Sequence, residues 1–319
     1  MSRNGTGSPA PAGEGAPPAN GVTAVVVTYE PDPGVTLPLL TALAQQCERV
    51  IVVDNGSAAS LRERLREACA RLGAELVELP TNRGIAAAQN AGIARARRGR
   101  YVLLMDQDSM PAPDMVSLLV AGARDAAAQG LAVGAVGPVS ADTRSTTEEM
   151  VYVSRTWGPR RARAAQLRAE RVETAFLLAS GCLVPVPVLD RVGEMNEAWF
   201  IDHVDLEWGL RARRAGYGLY AIPGALLAHT LGDRLTKLPG RAQEVHVHSP
   251  VRTYYLTRNT VHLVRSGLLG WRWALGYVVW LGKYVAFNAL LAAPRGERVR
   301  RMAQGLRDGL LGRTGPAPR

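Results

Sequence analysis

The segments VTAVVVTYE (22–30), RVIVVDNGS (49–57) and RYVLLMDQDSMP (100–111) decide the fold class. Each is an apolar run, rich in β-branched residues in the first two, that ends abruptly in polar residues. The apolar part reads as a strand covered on both faces, and the polar part as the loop at its carboxyl end. Amphipathic stretches separate them. Residues 35–47 carry helical spacing, and LRERLREACARL (61–72) sets Leu61, Leu65, Ala68 and Leu72 on one face with Arg and Glu on the other. AELVELP (74–80) reads as a third strand and IAAAQNAGIARAR (85–97) as the helix that follows it. Such alternation predicts an α/β fold with a doubly wound, mostly parallel, Rossmann-like sheet.

Beyond Asp114 the pattern predicts a helix to about Ala128 and a strand over 131–139. Residues 140–171 turn polar and arginine-rich and read as an excursion or mobile loop outside the core. Strand character resumes over 174–186, interrupted at Ser180-Gly181. A helix over 204–215, short strands at 218–222 and 225–229 and a helix over 250–266 follow. The boundaries expected are a disordered tail over 1–20, a catalytic-type α/β domain over 21–249 and a helical, basic appendage over 250–319.

Composition narrows the classes. With 319 residues, 47% hydrophobic and 21% charged, the chain can bury a full core, which excludes wholesale disorder and a coiled coil. Cys47, Cys69 and Cys182 are too few and too scattered for a disulfide framework, which points to a reducing, cytoplasmic compartment. Residues 1–20 lack the apolar run of a secretory signal. A net charge of +10 implies an anionic partner: nucleic acid, a membrane surface or a phosphate-bearing substrate. The stretch WRWALGYVVWLGKYVAFNALLAA (271–293), followed by the basic PRGERVRR (294–301), approaches the about 20 residues a membrane span needs. Its embedded Lys283 and its Trp and Tyr content favour a helix lying in the interface over one that spans, with a packed helix hairpin as the plain alternative.

Polar residues gather at the strand ends, the edge where open α/β sheets bind ligands. They are Thr28-Tyr29-Glu30, Asp54-Asn55-Gly56-Ser57, Thr81-Asn82-Arg83-Gly84 and Asp106-Gln107-Asp108. Singly, each also reads as turn chemistry or a helix start. Asp106 and Asp108, two positions apart at a strand end, point to the same side and suit a hard divalent cation such as Mg²⁺ or Mn²⁺. His229, His246 and His248 match no zinc spacing, so a single-histidine role for His229 is preferred.

Taken together, the blocks VVVTYEPD (25–32), VIVVDNGS (50–57), PTNRGIAAAQNAGI (80–93), YVLLMDQDSMP (101–111), ASGCLVP (179–185), WFIDHVDLEWGLRARRAGY (199–217) and AHTLG (228–232) resemble a family 2 inverting glycosyltransferase. The resemblance spans about Val22 to Arg265 and is strongest to rhamnosyltransferases that use dTDP-L-rhamnose. It implies a GT-A fold and the transfer of L-rhamnose to a glycan acceptor, lipid-linked and met at the inner face of the cell membrane. It further implies donor contacts by Thr28, Tyr29, Asp54, Asn82, Arg83, Gly84, Asp106 and Gln107. Asp106, Asp108 and His229 would hold the metal. Glu30 stands where the family usually has Asn, and Asp202-His203 where the wider family has Glu-Asp.

An inverting transfer needs a base for the acceptor hydroxyl, and Asp202 and Asp205 at the start of the 204–215 helix are the candidates. Asp202 is read as base and Asp205 as orienting the acceptor; both also fit simple helix N-terminal residues. Trp199, His203, Glu207, Arg252, Tyr255 and Arg258 are expected at the acceptor or diphosphate, Arg because it meets phosphate oxygens bidentately. Glu207 has a second reading as an i,i+4 partner of Arg211. Another donor, such as a UDP-hexose or UDP-galactofuranose, is the near alternative. A nucleic-acid-binding protein is disfavoured because no such motif appears, and a dinucleotide oxidoreductase because the first strand lacks the G-x-G-x-x-G turn.

Overall fold

The computed structural model describes residues 19–142, 150–229, 234–237 and 244–318. The first part comprises β1 (Ala19–Thr28), α1 (Pro33–Gln46), β2 (Cys47–Asp54), α2 (Ala59–Leu72), β3 (Glu75–Glu78), α3 (Ile85–Ala96), β4 (Tyr101–Asp106), β5 (Ser109–Pro111) and α4 (Met115–Ala128). The middle comprises β6 (Val133–Asp142), β7 (Tyr152–Arg155), β8 (Gly158–Arg161), β9 (Val172–Glu173), β10 (Cys182–Pro185), α5 (Val186–Val192), α6 (Val204–Arg214) and β11 (Gly218–His229). Then follow β12 (Arg234–Lys237), β13 (Glu244–Val247), α7 (Pro250–Arg265), α8 (Trp271–Leu290) and α9 (Arg295–Leu310). The tail expected over 1–20 lies outside the described residues up to residue 18, and β1 begins at Ala19.

The main sheet runs in the order β3-β2-β1-β4-β10-β6-β11-β5, with β9 beside β11. β1, β2, β3 and β4 are parallel neighbours, and β6 pairs parallel with β11. β10 runs antiparallel to β4 and β6. The sheet is therefore mixed in its second half, which the strand expected over 174–186 did not foretell. Two-sided burial is real: Val25 and Val27 of β1 join Ile51, Ile93, Leu104 and Trp208 in one core, and Ala24 and Val26 join Leu39, Leu40, Val52, Leu103 and Met115 in the other. Local chemistry sets the helix ends. Asp32 accepts from the Gly34 amide at 2.8 Å ahead of Pro33 in α1, and α2 stops at Gly73, φ 64°.

Two expectations are corrected. The polar 140–171 segment is no structureless excursion where it is described: β7 and β8 form a hairpin, and Val151 and Val153 pack against Val139 and Val172. Its apolar residues are interleaved with Tyr and Arg, so burial of two valines sufficed to anchor it. The two strands at 218–222 and 225–229 are one, β11, whose register shifts between Ile222 and Leu226 around Pro223-Gly224. The basic 294–301 cluster is the start of helix α9. Among the described residues no helix is long and apolar enough to cross a membrane.

Candidate active site

The carboxyl ends of β1, β2 and β4 open onto a cleft of about 1090 Å³. Its floor is built from loops that bond to one another. Asn55 donates through Nδ2 to Asn82 Oδ1 (3.1 Å) and to the Gly84 carbonyl (3.2 Å), and its Oδ1 accepts from the Arg83 amide (2.9 Å). Gln107 clasps the Tyr29 backbone both ways, accepting from its N–H at 2.8 Å and donating to its C=O at 3.1 Å. Tyr29, Asn55, Asn82, Gly84, Asp106, Gln107 and Asp108 all line the cleft. Thr28 and Asp54 are buried beneath it. The Asp54 carboxylate accepts from the Ser57 amide (3.0 Å), the Gly56 amide (3.2 Å), the Ser57 hydroxyl and Thr28 Oγ1 (3.3 Å), which fixes the β2 loop. Arg83 is exposed and faces Glu197 at 3.5 Å.

The opposite wall is a strained loop. Phe200, Asp202 and His203 all have positive φ (64°, 66° and 62°), an arrangement that costs free energy in non-glycine residues and persists only where neighbours hold it. Helix α7 does the holding. Asn259 Nδ2 donates to the carbonyls of Trp199 (2.9 Å), Ile201 (2.7 Å) and Asp202 (3.0 Å), and Arg258 Nη2 to that of Trp199 (3.0 Å). On the other side the Ile85 amide donates to the Phe200 carbonyl at 2.7 Å, and a Cβ on Gly84 would lie 2.5 Å from that oxygen. Only glycine permits this approach.

This arrangement corrects four acceptor-side expectations. Arg258 is fully buried among carbonyls, including that of Gly315, and Tyr255 stacks on Phe200 at 5.0 Å while its hydroxyl accepts from the Ala317 amide. Trp199 is buried beneath the same loop. Glu207 is buried and takes Arg211 Nε on both oxygens (2.9 and 3.0 Å), the i,i+4 pairing. None of the four lines the cleft. A buried guanidinium or carboxylate must be fully partnered, and here backbone and Arg211 supply the partners.

Asp202, His203 and Asp205 do line the cleft, in different states. The Arg252 fork spans the Asp202 carboxylate, Nη2 to Oδ1 at 2.5 Å and Nε to Oδ2 at 3.4 Å. Asp205 accepts from the Leu206 amide at 2.8 Å. Its pKa is pushed up to about 6 by burial, with the negative charges of Asp106 and Asp202 adding to the shift. His203 donates or accepts at Thr260 Oγ1 (3.0 Å) and is lowered to about 4 by burial, so it is neutral at pH 7. Asp106 ends β4 and Asp108 follows it, both lining the cleft. The β11–β5 register pairs His229 with Ser109, next to Asp108, but the His229 side chain lies outside the described residues. The His246 side chain also lies outside them. Among the described residues no group of three or more His, Cys, Asp or Glu is placed to hold a metal ion.

Sequence reasoning missed the far wall. Trp157, Arg160 and Arg161 come from the β7–β8 hairpin, Tyr277 and Trp280 from α8, and Gln89 from α3. The hairpin and α8 are locked together: Trp273 Nε1 donates to the Arg155 carbonyl at 2.8 Å, and Trp157 meets Trp271 edge-on at 6.0 Å. The alternation of Val151, Tyr152 and Val153 was the available signal.

Comparison with known proteins agrees with this architecture. The model of "Glycosyl transferase family 2" matches residues 23–193. A dTDP-rhamnosyl transferase, RfbF of Shigella flexneri, is 31% identical over 247 residues, covering 77% of this chain and 80% of its own. The succinoglycan biosynthesis protein ExoO of Rhizobium meliloti is 36% identical over 126 residues, 39% of this chain and 35% of its own. Among solved structures, GalNAc-T7 with UDP, GalNAc and Mn²⁺ superposes with a TM-score of 0.60 at 13% identity, covering 91% of this chain and 56% of that one. S. aureus TarS 1-349 in complex with UDP gives 0.52 at 13% identity, covering 92% of each. These neighbours share the GT-A fold, with its mostly parallel sheet and C-terminal helices. A family match over more than half of the chain, together with a rhamnosyl transferase relative aligned along most of both lengths, makes this protein a glycosyltransferase that belongs to family 2.

Proposed function

We propose that the chain transfers L-rhamnose from dTDP-L-rhamnose to a glycan acceptor, with inversion at the anomeric carbon. The observation that carries the mechanism is Asp205: a cleft carboxyl raised to about 6, next to the charge of Asp106 and without a cation partner among the described residues. A group titrating near neutrality and lining the reaction cleft suits a general base. Asp205 takes the proton of the acceptor hydroxyl while the hydroxyl oxygen bonds to the anomeric carbon. The bond from that carbon to the diphosphate oxygen breaks, and the diphosphate leaves with the electron pair. Asp202, tied to Arg252, is the partner that orients Arg252 and the acceptor; this reverses the roles expected from sequence.

The similarity to the rhamnosyl transferase relative supports the donor. Tyr29, Asn55, Asn82, Gly84 and Gln107 form its nucleoside bed, Thr28 and Asp54 brace that bed from below, and Arg83 is available to the diphosphate. The carboxylates of Asp106, the last residue of β4, and Asp108, two positions on, are hard oxygen donors that would hold Mg²⁺ or Mn²⁺, with His229 as the further ligand the family resemblance implies. Bound there, such an ion would neutralise charge on the departing diphosphate. Arg252 and the hairpin residues Arg160 and Arg161 give the acceptor wall guanidinium groups suited to a lipid-linked diphosphate.

Peripheral contact with the inner face of the cell membrane belongs to the same reading. The outer face of α8 exposes Trp271 (68%), Leu275, Val278 and Val279, with Arg272 and Lys283 alongside and no acidic residue in the helix. Such a face suits an anionic lipid surface.

Calorimetric titration of dTDP-L-rhamnose and UDP-glucose, each with and without Mn²⁺, tests the donor. Metal-dependent binding of dTDP-L-rhamnose is expected. Binding of UDP-glucose alone would move the assignment to another sugar, and binding of neither would sink it.

A further inference from the structure

Helix α3 carries a group that the mechanism above does not use. Gln89 is buried at 3% exposure, on the turn of α3 that faces the sheet, yet its Oε1 has no hydrogen-bond partner. Leaving a buried amide oxygen unpaired costs about 1–3 kcal/mol of desolvation. Its neighbour Asn90 shows what an ordinary structural amide does here: it donates to the Met195 carbonyl at 2.9 Å and to Glu197 at 3.0 Å, and accepts from the Met195 amide at 2.9 Å.

Two features say where a partner for Gln89 would come from. Gln89 lines the cleft together with Asp106 and Asp205. Behind it lies a small, mostly apolar cavity of about 10 Å³, bounded by Leu104, Leu177, Cys182, Met195 and Trp208 and reached by Asp205, which lines the cleft as well. None of these side chains bonds to the Gln89 Oε1: the Trp208 indole donates to the Gly193 carbonyl and Asp205 accepts from the Leu206 amide, which leaves the cleft as the side from which a partner reaches it. A sugar hydroxyl is such a partner. It both donates and accepts, so it satisfies the amide whichever way the O and NH₂ are turned.

We infer that Gln89 is a sugar-recognition residue, its side-chain amide taking a hydroxyl of the transferred sugar beside Asp205. The inference rests on the proposed nucleotide-sugar donor and adds a residue that reads the sugar rather than the nucleotide. It also explains the unpaired amide: the site is completed when the donor is bound.

The test compares dTDP with dTDP-L-rhamnose by calorimetry in wild type and in Gln89→Met, a change that keeps length and volume. Affinity for dTDP should stay the same while affinity for dTDP-L-rhamnose falls roughly tenfold, the worth of one hydrogen bond lost to a buried amide. Gln89→Asn, which withdraws the amide by one methylene, should show the same selective loss. Without ligand, Gln89→Met should melt no lower than wild type, because an apolar isostere replaces an unpaired polar group. Equal losses for dTDP and the sugar nucleotide, no loss for either, or a lower melting temperature of the free Met variant would each overturn the inference. Failure of wild type to bind dTDP-L-rhamnose would fall on the donor assignment; the free-protein melting comparison still judges Gln89.

Discussion

Asp202 and Asp205 stand three positions apart on one loop-to-helix junction and meet opposite environments. Arg252, fifty residues later, pairs with the first, while burial and the charge of Asp106 load the second toward its protonated form. Asp205→Asn should therefore lower transfer by about 10²- to 10⁴-fold with donor affinity nearly unchanged, measured as kcat against a calorimetric Kd. The raised pKa has a stability signature too. In the folded protein Asp205 keeps its proton up to about 6, whereas its model value is 3.8, so its contribution to folding is full below about pH 4 and is lost as pH rises through 6. In metal-free buffer the melting temperature of Asp205→Asn should match wild type near pH 4 and exceed it at pH 7. The reverse order would show that Asp205 is held charged. Asp108→Ala should weaken Mn²⁺-dependent donor binding and leave metal-free binding as it was. In the sequence both Asp202 and Asp205 looked like helix N-terminal acids; their difference is made by residues distant in the chain.

Among the elements, strands and helices of the first half were legible because their periodicities are strong and their burial is two-sided. The 199–203 segment was legible as a site but not as a strained loop. Its conformation is imposed by α7 through Asn259 and Arg258, and by the close passage of Gly84. Asn259→Ala removes the donor to three carbonyls, so kcat should fall by about tenfold or more through misplacement of Asp202 and Asp205, with dTDP affinity changed far less. Asn259→Asp should do the same, since a carboxylate cannot donate to those carbonyls. Gly84→Ala, at φ 89° and with its Cβ against the Phe200 carbonyl, should cost about 2 kcal/mol or more, read as a drop in melting temperature. The β7–β8 hairpin escaped sequence reading because strands of four residues with arginines in them carry too little alternation to outweigh their polarity. Only packing of Val151 and Val153 on the sheet reveals them.

At the scale of the whole molecule, the cleft lies between the parallel half of the sheet and a second wall made by α7, α8 and the hairpin. Helix α8 serves two surfaces at once, with Tyr277 and Trp280 turned to the cleft and Trp271, Val278 and Val279 turned to solvent. Vesicles containing phosphatidylglycerol should sediment the wild type in low salt. Val278→Glu with Val279→Glu should weaken that partition about tenfold or more without altering donor affinity, and equal sedimentation of both proteins would refute lipid docking by this face. The sequence by itself determined the α/β class, the family, and the polar strand ends that gather at one edge of the sheet, because hydrophobic periodicity and turn chemistry are local and each strand carries its own. Only the tertiary structure decided which of two aspartates titrates near neutrality, that Arg258 and Tyr255 brace the site from beneath, and that Gln89, Trp157 and Trp280 reach the cleft. Burial, charge pairing and the satisfaction of backbone carbonyls depend on residues brought together from far along the chain, and no local pattern encodes them.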